Sequence, residues 1–254
     1  MADTGTTTDD AFLGGKLRLR QPASGHRAGH DAILLAAATS ACPGDRVVDF
    51  GAGVGTAGLA VASRVKGVSL ALVEIDAGLA ELASANAATN DLRADVIVMD
   101  VAASADTFVA AGLAPDSADA VLMNPPFNDP ARHRSSPDKS REIAHVATAA
   151  TLDDWIHAAR RLLKSGGVLT LIWRADGIAE VLAALDRGFG SLMILPVHGD
   201  PAQPAIRILV RAVNGGKAPA AICAPLALRD AAGAPDAHIQ QVLRGQATLP
   251  WASL

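Results

Sequence analysis

The sequence predicts an α/β fold: a doubly wound, mostly parallel seven-stranded sheet with an antiparallel last strand. From residue 45 onward, short apolar runs alternate with segments of helical periodicity, which is typical of a parallel sheet covered by helices on both faces. Glycines follow the first of these runs closely, as they do where a strand turns sharply into a helix. No helical pattern separates the last two runs, which indicates an antiparallel pair.

The individual elements follow from the same periodicity. We expect strands near residues 45–50, 68–74, 94–99, 118–124, 167–174, 189–197 and 205–213. We expect helices at about 55–65, 77–89, 103–111, 151–164 and 176–187. The pair Gly166-Gly167 is expected to end the fourth of these helices, because glycine is common just beyond helix ends.

The chain divides into three predicted regions. The central region, 45–216, is the α/β core. The N-terminal region, 1–44, comprises a loose arm over its first 13 residues, a basic strand and an apolar helix that packs on the core. The C-terminal region, 217–254, is rich in alanine and proline and is expected to form an appendage with a short strand at 226–229 and a helix at 236–244.

Composition limits the function classes. The chain has 254 residues, of which 50% are hydrophobic and 19% charged, enough to bury the core of one α/β domain with additions. Its net charge of −4 argues against a generally basic nucleic-acid binder. Any contact with phosphates must therefore come from local patches.

Cysteine use and hydropathy predict the compartment. Cys42 and Cys223 lie far apart and no C-x-x-C spacing occurs, so neither a disulfide framework nor a zinc site is indicated. The polar, acidic N-terminus lacks the pattern of a signal peptide, and no apolar run is long enough to span a membrane. We therefore expect a cytoplasmic protein with no membrane partner and no metal.

The turn after the first core strand indicates a cofactor. The apolar run 47–50 is followed by glycines that open an alanine-rich helix, at Gly51, Gly53, Gly55 and Gly58. The last three match G-x-G-x-x-G, the fingerprint of dinucleotide-binding turns. A nicotinamide dinucleotide therefore competes here with other nucleotide cofactors, and a turn that needs glycine only for close packing is the alternative to both.

Asp49 favours a different cofactor from NAD. A dinucleotide turn must hold a pyrophosphate on backbone N–H groups, and a carboxylate beside two phosphates would repel them. S-adenosylmethionine instead presents an ammonium and a sulfonium, which a carboxylate attracts. We therefore interpret D-x-G-x-G-x-G as a turn that binds S-adenosylmethionine.

Two further acids end the next two predicted strands. Glu74 closes the second strand, where a carboxylate can accept hydrogen bonds from both ribose hydroxyls. Asp100 closes the third, where it can accept from the amino group of adenine. Either acid alone could simply cap the helix that follows. Acids at the carboxyl ends of three consecutive strands favour a ligand site, because open α/β sheets bind ligands there.

The most specific motif is Asn124-Pro125-Pro126-Phe127, directly after an apolar run. Two prolines stop the strand and remove two N–H donors. A planar exocyclic amine is a poor nucleophile until acceptors hold its N–H groups, and the Asn124 carboxamide and the Pro125 carbonyl can do this. Phe127 would stack on the flat target, which contributes roughly 1 to 3 kcal/mol per base. A rigid turn without chemistry is the alternative.

Two basic segments are candidates for binding nucleic acid. One lies in residues 14–27, which contain no acid, and comprises Lys16, Arg18, Arg20 and Arg27. The other is a polar loop, 131–141, that leaves the Asn124 motif and carries Arg132, Arg134, Lys139 and Arg141 with one acid. Both could also be solvated surface, the first as a charged edge strand that blocks aggregation.

These motifs together resemble the bacterial adenine-N6 methyltransferases of valine tRNA. The strings that carry the resemblance are G-H-R-A-G-H-D at 25–31, D-F-G-A-G-V-G at 49–55, V-E-I-D at 73–76 and N-P-P-F at 124–127. The resemblance runs from about residue 14 to the C-terminus. That family commonly has Tyr at the position of Phe127 and Thr at that of His30, so the aromatic ring is kept while two hydroxyls are absent.

The resemblance implies a class I methyltransferase fold, S-adenosylmethionine as cofactor and a tRNA adenine as target. It places cofactor contacts at Asp31, Asp49, Gly51, Glu74, Asp100 and Asn124, and we include His30, next to Asp31, among the candidate cofactor residues. The N-P-P-F motif is shared with protein glutamine-N5 methyltransferases and with other RNA and DNA amine methylases, which stay open as alternatives. A nicotinamide-dependent oxidoreductase and a non-catalytic RNA module that binds S-adenosylmethionine are the remaining hypotheses.

Overall fold

A computed structural model of the chain describes residues 6–24, 27–126 and 139–252. Its strands are β1 (Thr7–Phe12), β2 (Leu17–Pro22), β3 (Arg46–Phe50), β4 (Ser69–Glu74), β5 (Ala94–Val98), β6 (Ala118–Met123), β7 (Leu163–Arg174), β8 (Phe189–His198), β9 (Ala205–Asn214), β10 (Ala221–Ile222) and β11 (Leu226–Ala227). Its helices are α1 (His30–Ala38), α2 (Thr56–Arg64), α3 (Ala77–Thr89), α4 (Ala105–Ala110), α5 (Lys139–Leu162), α6 (Ile178–Leu185) and α7 (Ala237–Leu243).

The main sheet has nine strands, two more than the sequence predicts. Its order is β10-β8-β9-β7-β6-β3-β4-β5, and β11 also pairs with β8. Strands β3 to β7 run parallel, and β9 is inserted antiparallel between β7 and β8. The prediction of a mostly parallel sheet with an antiparallel closing strand is confirmed. β11 corresponds to the short strand expected in the C-terminal region, although its place in the main sheet was not predicted. β10 has only two residues, too few for a recognisable period.

Strand order reverses between β3 and β6, which lie side by side at the centre of the sheet. The chain proceeds from β3 outward to β4 and β5, then returns to place β6 on the other side of β3. Such a reversal opens a crevice at the carboxyl ends of the two strands, because their connections leave in opposite directions. The glycine turn follows β3 and Asn124 follows β6, so both lie at this crevice.

Two apolar layers cover the sheet. One contains buried side chains of α1, α2, α3 and α7, together with Leu17 and Leu19 of β2. The other contains Phe108 of α4 and the inner faces of α5 and α6. The C-terminal segment contributes Trp251, which is fully buried against the first layer. The tail after residue 217 therefore packs into the main core.

The N-terminal arm is more ordered than the sequence predicts. Residues expected to be loose form β1, which pairs antiparallel with β2 from Thr7↔Pro22 to Phe12↔Leu17. The alternation expected for β2 is confirmed, since Leu17 and Leu19 are buried while Arg18 and Arg20 are exposed. The prediction for the arm was wrong because residues 7–12 have few apolar side chains, and their strand is stabilised by pairing with β2.

The helix before β7 also differs from the expectation. α5 begins at Lys139 and not near residue 151, because residues 139–150 contain no glycine or proline and several good helix formers. Gly166 and Gly167 do not cap this helix, which ends at Leu162; both lie within β7.

Within the described ranges, no helix is long and apolar enough to cross a membrane. The same residues contain no group of three or more His, Cys, Asp or Glu side chains placed to hold a metal ion.

Candidate active site at the carboxyl edge of the sheet

The turn between β3 and α2 depends on glycine backbone geometry. Gly51, Gly53 and Gly55 all have positive φ, at 65°, 57° and 87°, a conformation that side chains with a Cβ rarely adopt. A Cβ at Gly51 would also collide with the indole ring of Trp155, which α5 lays over the turn. The chain can therefore make this sharp turn beneath α5 only with glycine at position 51.

Gly53 faces open space at the crevice. A Cβ built on it would meet no heavy atom within 4 Å, and its N–H donates to Glu74 Oε2 at 2.7 Å. A ligand can therefore approach the backbone closely at this point. The open turn and the acid beside it fit the ribose and methionine parts of S-adenosylmethionine, which the turn and Glu74 would hold.

Asp49 is almost completely buried behind the turn, with 2% of its surface exposed. Its Oδ2 accepts the Gly58 N–H at 2.8 Å, which fixes the start of α2 against β3. Burial raises the pKa of this carboxyl to about 7; the Gly58 hydrogen bond acts in the opposite direction, and the charge of Glu74 raises it further. The proposed contact of Asp49 with a cofactor ammonium stays a prediction.

Asp49 should make stability depend on pH. Its folded-state pKa is raised above the ordinary value of 3.8, so the neutral carboxyl stabilises the fold below about pH 4 and that contribution is lost as the pH rises towards 7. Chemical denaturation of wild type should show this loss, on the order of a few kcal/mol, while Asp49→Asn should lack it. Parallel pH profiles for the two proteins would contradict this expectation.

Glu74 connects the glycine turn to the next turn. Its Oε2 accepts from Gly53 and its Oε1 accepts from the Asp76 N–H at 2.9 Å. Asp76 in turn caps α3 by accepting from the N–H groups of Gly78 and Leu79. A carboxylate has about four acceptor positions, so Glu74 can still accept from a ligand while it holds both turns.

The outer part of the crevice lies at the ends of β4 and β5. Asp100 is exposed just beyond β5, and its Oδ1 accepts the Ala102 N–H at 2.8 Å. Ile75 follows Glu74 and leaves 65% of its surface exposed. An apolar side chain beside exposed polar groups suits the flat face of a base. We missed Ile75 in the sequence because an isolated apolar residue carries no signal of its exposure.

Asn124 is the central residue of the crevice. Phe50 pairs with Met123, so Gly51 and Asn124 leave adjacent strands roughly 5 Å apart. Asn124 Oδ1 is buried and has no hydrogen-bond partner among the residues that the structure describes. Pro125 is buried and Pro126 is exposed. Phe127 lies outside the described residues, so its predicted stacking is untested.

The start of α1 faces β9. His30 is the exposed first residue of α1, and Asp31 in its first turn accepts from Arg207 Nε at 2.9 Å. Arg207 pairs across the sheet with Arg174, whose guanidinium contacts Asp176 at 3.1 Å and Glu180 at 2.6 Å.

Neither arginine was predicted from the sequence. Met123 pairs with Leu171, and Arg174 is three residues further along, so the two arginines extend roughly 10 Å beyond the end of β6. A basic residue at the carboxyl end of β7 was the available signal.

The first basic segment is less positive than its sequence suggests. Arg20 contacts Asp9 at 3.3 Å and Arg27 contacts Asp10 at 2.7 Å. Arg27 also donates to the Thr8 hydroxyl and the Pro22 carbonyl, and Lys16 donates to the Gly245 carbonyl. The positive charge was predicted from residues 14–27 alone. The pairing of β1 with β2 places Asp9 and Asp10, which lie outside that segment, beside its arginines.

The second basic segment is only partly described. Arg132 and Arg134 lie outside the described residues. Lys139 and Arg141 were expected in a loop, but both belong to the first turn of α5.

A separate cleft between Cys42, Asp119 and Lys164 opens at the opposite edge of the sheet, where the strands begin. It is remote from the glycine turn and Asn124.

Residues 29–197, more than half of the chain, match the family model of the methyltransferase small domain. The chain belongs to this family. The match spans the glycine turn, Glu74, Asp100 and Asn124, all the elements that build the crevice.

Proteins similar to this chain agree with its assignment to the methyltransferase small domain family. A tRNA1(Val) (adenine(37)-N6)-methyltransferase of Porphyromonas gingivalis is 29% identical over 176 residues, 68% of each chain. The structure of a predicted O-methyltransferase from Agrobacterium tumefaciens is 32% identical, with a TM-score of 0.72 over 86% of this chain and 98% of that chain. An N2 methyltransferase of 16S rRNA from Thermus thermophilus, solved with AdoMet and guanosine, shares the fold at 18% identity, with a TM-score of 0.56 over 82% and 50%.

The protein is therefore an S-adenosylmethionine-dependent methyltransferase with a Rossmann-like fold. The resemblance stated from the motifs is confirmed, and so are the fold class and the cofactor. The geometry of the turn fits the cofactor independently. Its glycines have a left-handed backbone conformation, Gly53 faces open space and Glu74 lies beside it. The roles of individual site residues stay predictions.

Proposed function

We propose that this methyltransferase modifies a planar exocyclic amine, N6 of an adenine in tRNA. The observation that carries the proposal is Asn124 Oδ1, a buried acceptor without a partner among the described residues, at the switch point of the sheet. A buried carbonyl oxygen is costly to leave unsatisfied, so such an atom is expected where a ligand donates to it. The name of the Porphyromonas gingivalis relative supports the adenine target.

The proposed chemistry rests on two acceptors. The lone pair of an adenine N6 is delocalised into the ring, so the nitrogen must pyramidalise before it can attack. Asn124 Oδ1 and the Pro125 carbonyl accept the two N–H groups of the amine and favour the pyramidal form. S-adenosylmethionine, when bound, supplies a methyl group made electrophilic by a sulfonium. As the new N–C bond forms, the bond between the methyl carbon and the sulfonium sulfur would break, and the sulfur would leave as a neutral thioether. The nitrogen, which then carries a positive charge, releases one proton to solvent.

Different parts of the cofactor would contact different residues along the crevice. The turn of Gly51, Gly53 and Gly55 would hold the methionine part, Glu74 the ribose hydroxyls, and Asp100 the adenine amino group. Ile75 would cover one face of the cofactor base. His30 and Asp31 at the start of α1, and Asp49 behind the turn, also belong to the predicted set.

Only two arginines of the first basic segment remain candidates for the proposed RNA surface. Arg18 is exposed on the outer face of β2 and makes no ion pair with any described residue. Arg20 and its partner Asp9 are both exposed, and an exposed ion pair of this kind contributes little because solvent screens it. These two arginines stay candidates for phosphate contacts, together with Arg132, Arg134, Lys139 and Arg141. A tRNA substrate would place the protein in the cytoplasm.

Oxygen methylation is the second candidate, because the Agrobacterium tumefaciens protein is named a predicted O-methyltransferase. A hydroxyl acceptor usually needs a base to take its proton as the methyl group arrives. A carboxamide is not basic, and Asn124 Oδ1 is a buried polar atom at the end of β6. Asn124 therefore favours an amine over a hydroxyl.

Transfer of isotope-labelled methyl groups will test the acceptor class. We expect the purified protein to label the tRNA fraction of a bacterial extract, with little label in DNA, protein or small molecules. Label in protein would indicate the glutamine-N5 alternative. Binding of S-adenosylmethionine without transfer into any fraction would instead indicate a non-catalytic module.

A further inference from the structure

Two asparagines bind the free edge of β2: Asn86 in the last turn of α3 and Asn90, which directly follows the helix. Asn90 Oδ1 accepts the Arg18 N–H at 2.8 Å, and Asn90 Nδ2 donates to the Arg18 carbonyl at 2.7 Å. One helical turn earlier, Asn86 Oδ1 accepts the Arg20 N–H at 2.7 Å, and Asn86 Nδ2 donates to the Arg20 carbonyl at 2.9 Å.

This arrangement works as a substitute strand. A residue at the edge of an antiparallel sheet exchanges an N–H and a C=O bond with its partner, and every second residue does so. Two steps along a strand cover roughly 6.6 Å, and four residues of a helix cover roughly 6 Å. The spacing of Asn86 and Asn90 therefore matches Arg18 and Arg20, and both edges of β2 are paired.

Asn86 makes one contact that Asn90 does not. Its Nδ2 also donates to the Val54 carbonyl at 3.0 Å, inside the glycine turn that follows β3. Asn86 is 1% exposed, so both of its N–H groups are used within the protein. Asn90 is half-buried, and its Nδ2 donates instead to the Asn86 carbonyl in the preceding helix.

We propose that Asn86 is a positioning residue for S-adenosylmethionine, holding the cofactor turn and the β1–β2 hairpin in one arrangement. This inference rests on the proposed cofactor site. Val54 lies between Gly53 and Gly55, and glycines on both sides give its carbonyl many accessible orientations. The Asn86 hydrogen bond selects one of them. Without this hydrogen bond, the turn becomes ordered only when the cofactor binds, and the free energy of ordering it lowers the affinity for the cofactor.

Asn86→Ala and Asn90→Ala form a matched pair for the test. Each removes both bonds to one residue of β2, but only Asn86→Ala frees the Val54 carbonyl. We expect Asn86→Ala to raise the Kd and the KM for S-adenosylmethionine about ten-fold, with a much smaller change in kcat. A net loss of one buried hydrogen bond corresponds to this factor. Asn90→Ala should keep the wild-type Kd within about two-fold.

Asn86→Asp covers the case in which the alanine variant does not fold. It keeps the side-chain volume and the bond from Arg20 N–H, but it turns an oxygen towards the Val54 carbonyl, so the Kd should again rise. Equal effects of Asn86→Ala and Asn90→Ala, or an unchanged Kd in both Asn86 variants, would overturn the inference while leaving the proposed function intact. A wild-type protein that binds no S-adenosylmethionine would overturn both.

Discussion

Replacing Asn124 with alanine should lower kcat for methyl transfer by at least about 100-fold, while the Kd for S-adenosylmethionine changes by less than about three-fold. Removing a single preorganised hydrogen-bonding group that acts on developing charge costs about 10² to 10³ in kcat in other enzymes. Asn124 Oδ1 is buried without a partner in the described part of the chain. Its interaction therefore belongs mainly to the target amine and its transition state.

Single-turnover kinetics at saturating cofactor, together with calorimetric titration, will separate the two effects. Asn90→Ala is a suitable control, because it removes a carboxamide whose contacts are with Arg18 and Asn86, outside the crevice. A near-wild-type kcat in Asn124→Ala would mean that Asn124 only shapes the turn. A large loss of cofactor affinity with unchanged kcat would assign Asn124 to cofactor binding instead.

Replacing Glu74 with alanine should raise the Kd for S-adenosylmethionine by about 100-fold. Two backbone donors lose their acceptor, Gly53 N–H and Asp76 N–H, and hydrogen bonds to a charged group contribute roughly 1.5 to 3 kcal/mol each. The acceptor predicted for the ribose hydroxyls is removed as well. Calorimetric titration will measure the loss.

Two variants make the Glu74 result specific. Glu74→Gln keeps the shape and one carbonyl oxygen, so its Kd should lie between those of wild type and Glu74→Ala. Glu81→Ala removes an exposed acid from α3 and should leave the Kd unchanged. If Glu74→Ala binds as tightly as wild type, Glu74 stabilises only the turns and the ribose is bound elsewhere.

Local patterns were sufficient to predict the centre of the fold. Each of β3, β4, β5 and β6 has five or six residues, most of them apolar, and α2 and α3 begin after glycine or aspartate. The bounds of these elements agree with the predictions within about two residues, because period and capping residues act over short distances. The glycine turn, Glu74 and Asn124 were predictable for the same reason.

Features that depend on distant contacts were not predictable. β1 is a strand because it pairs with β2, and the charges of Arg20 and Arg27 are paired by acids on β1. Asn86 looks like an ordinary polar residue of a helix, and its link to Val54 exists only because α3 packs against both β2 and the glycine turn. No sequence period encodes such contacts.

Identification of the methylated nucleoside will test the central claim most directly. Unmodified tRNA is incubated with the protein and labelled S-adenosylmethionine, digested to nucleosides and analysed by mass spectrometry. The structure of the crevice and the relatives predict that the label is found in N6-methyladenosine, and that Asn124→Ala loses it. Label in a ribose-methylated nucleoside, or in no nucleoside while the cofactor still binds, would contradict the assignment of Asn124 and Pro125 to an exocyclic amine.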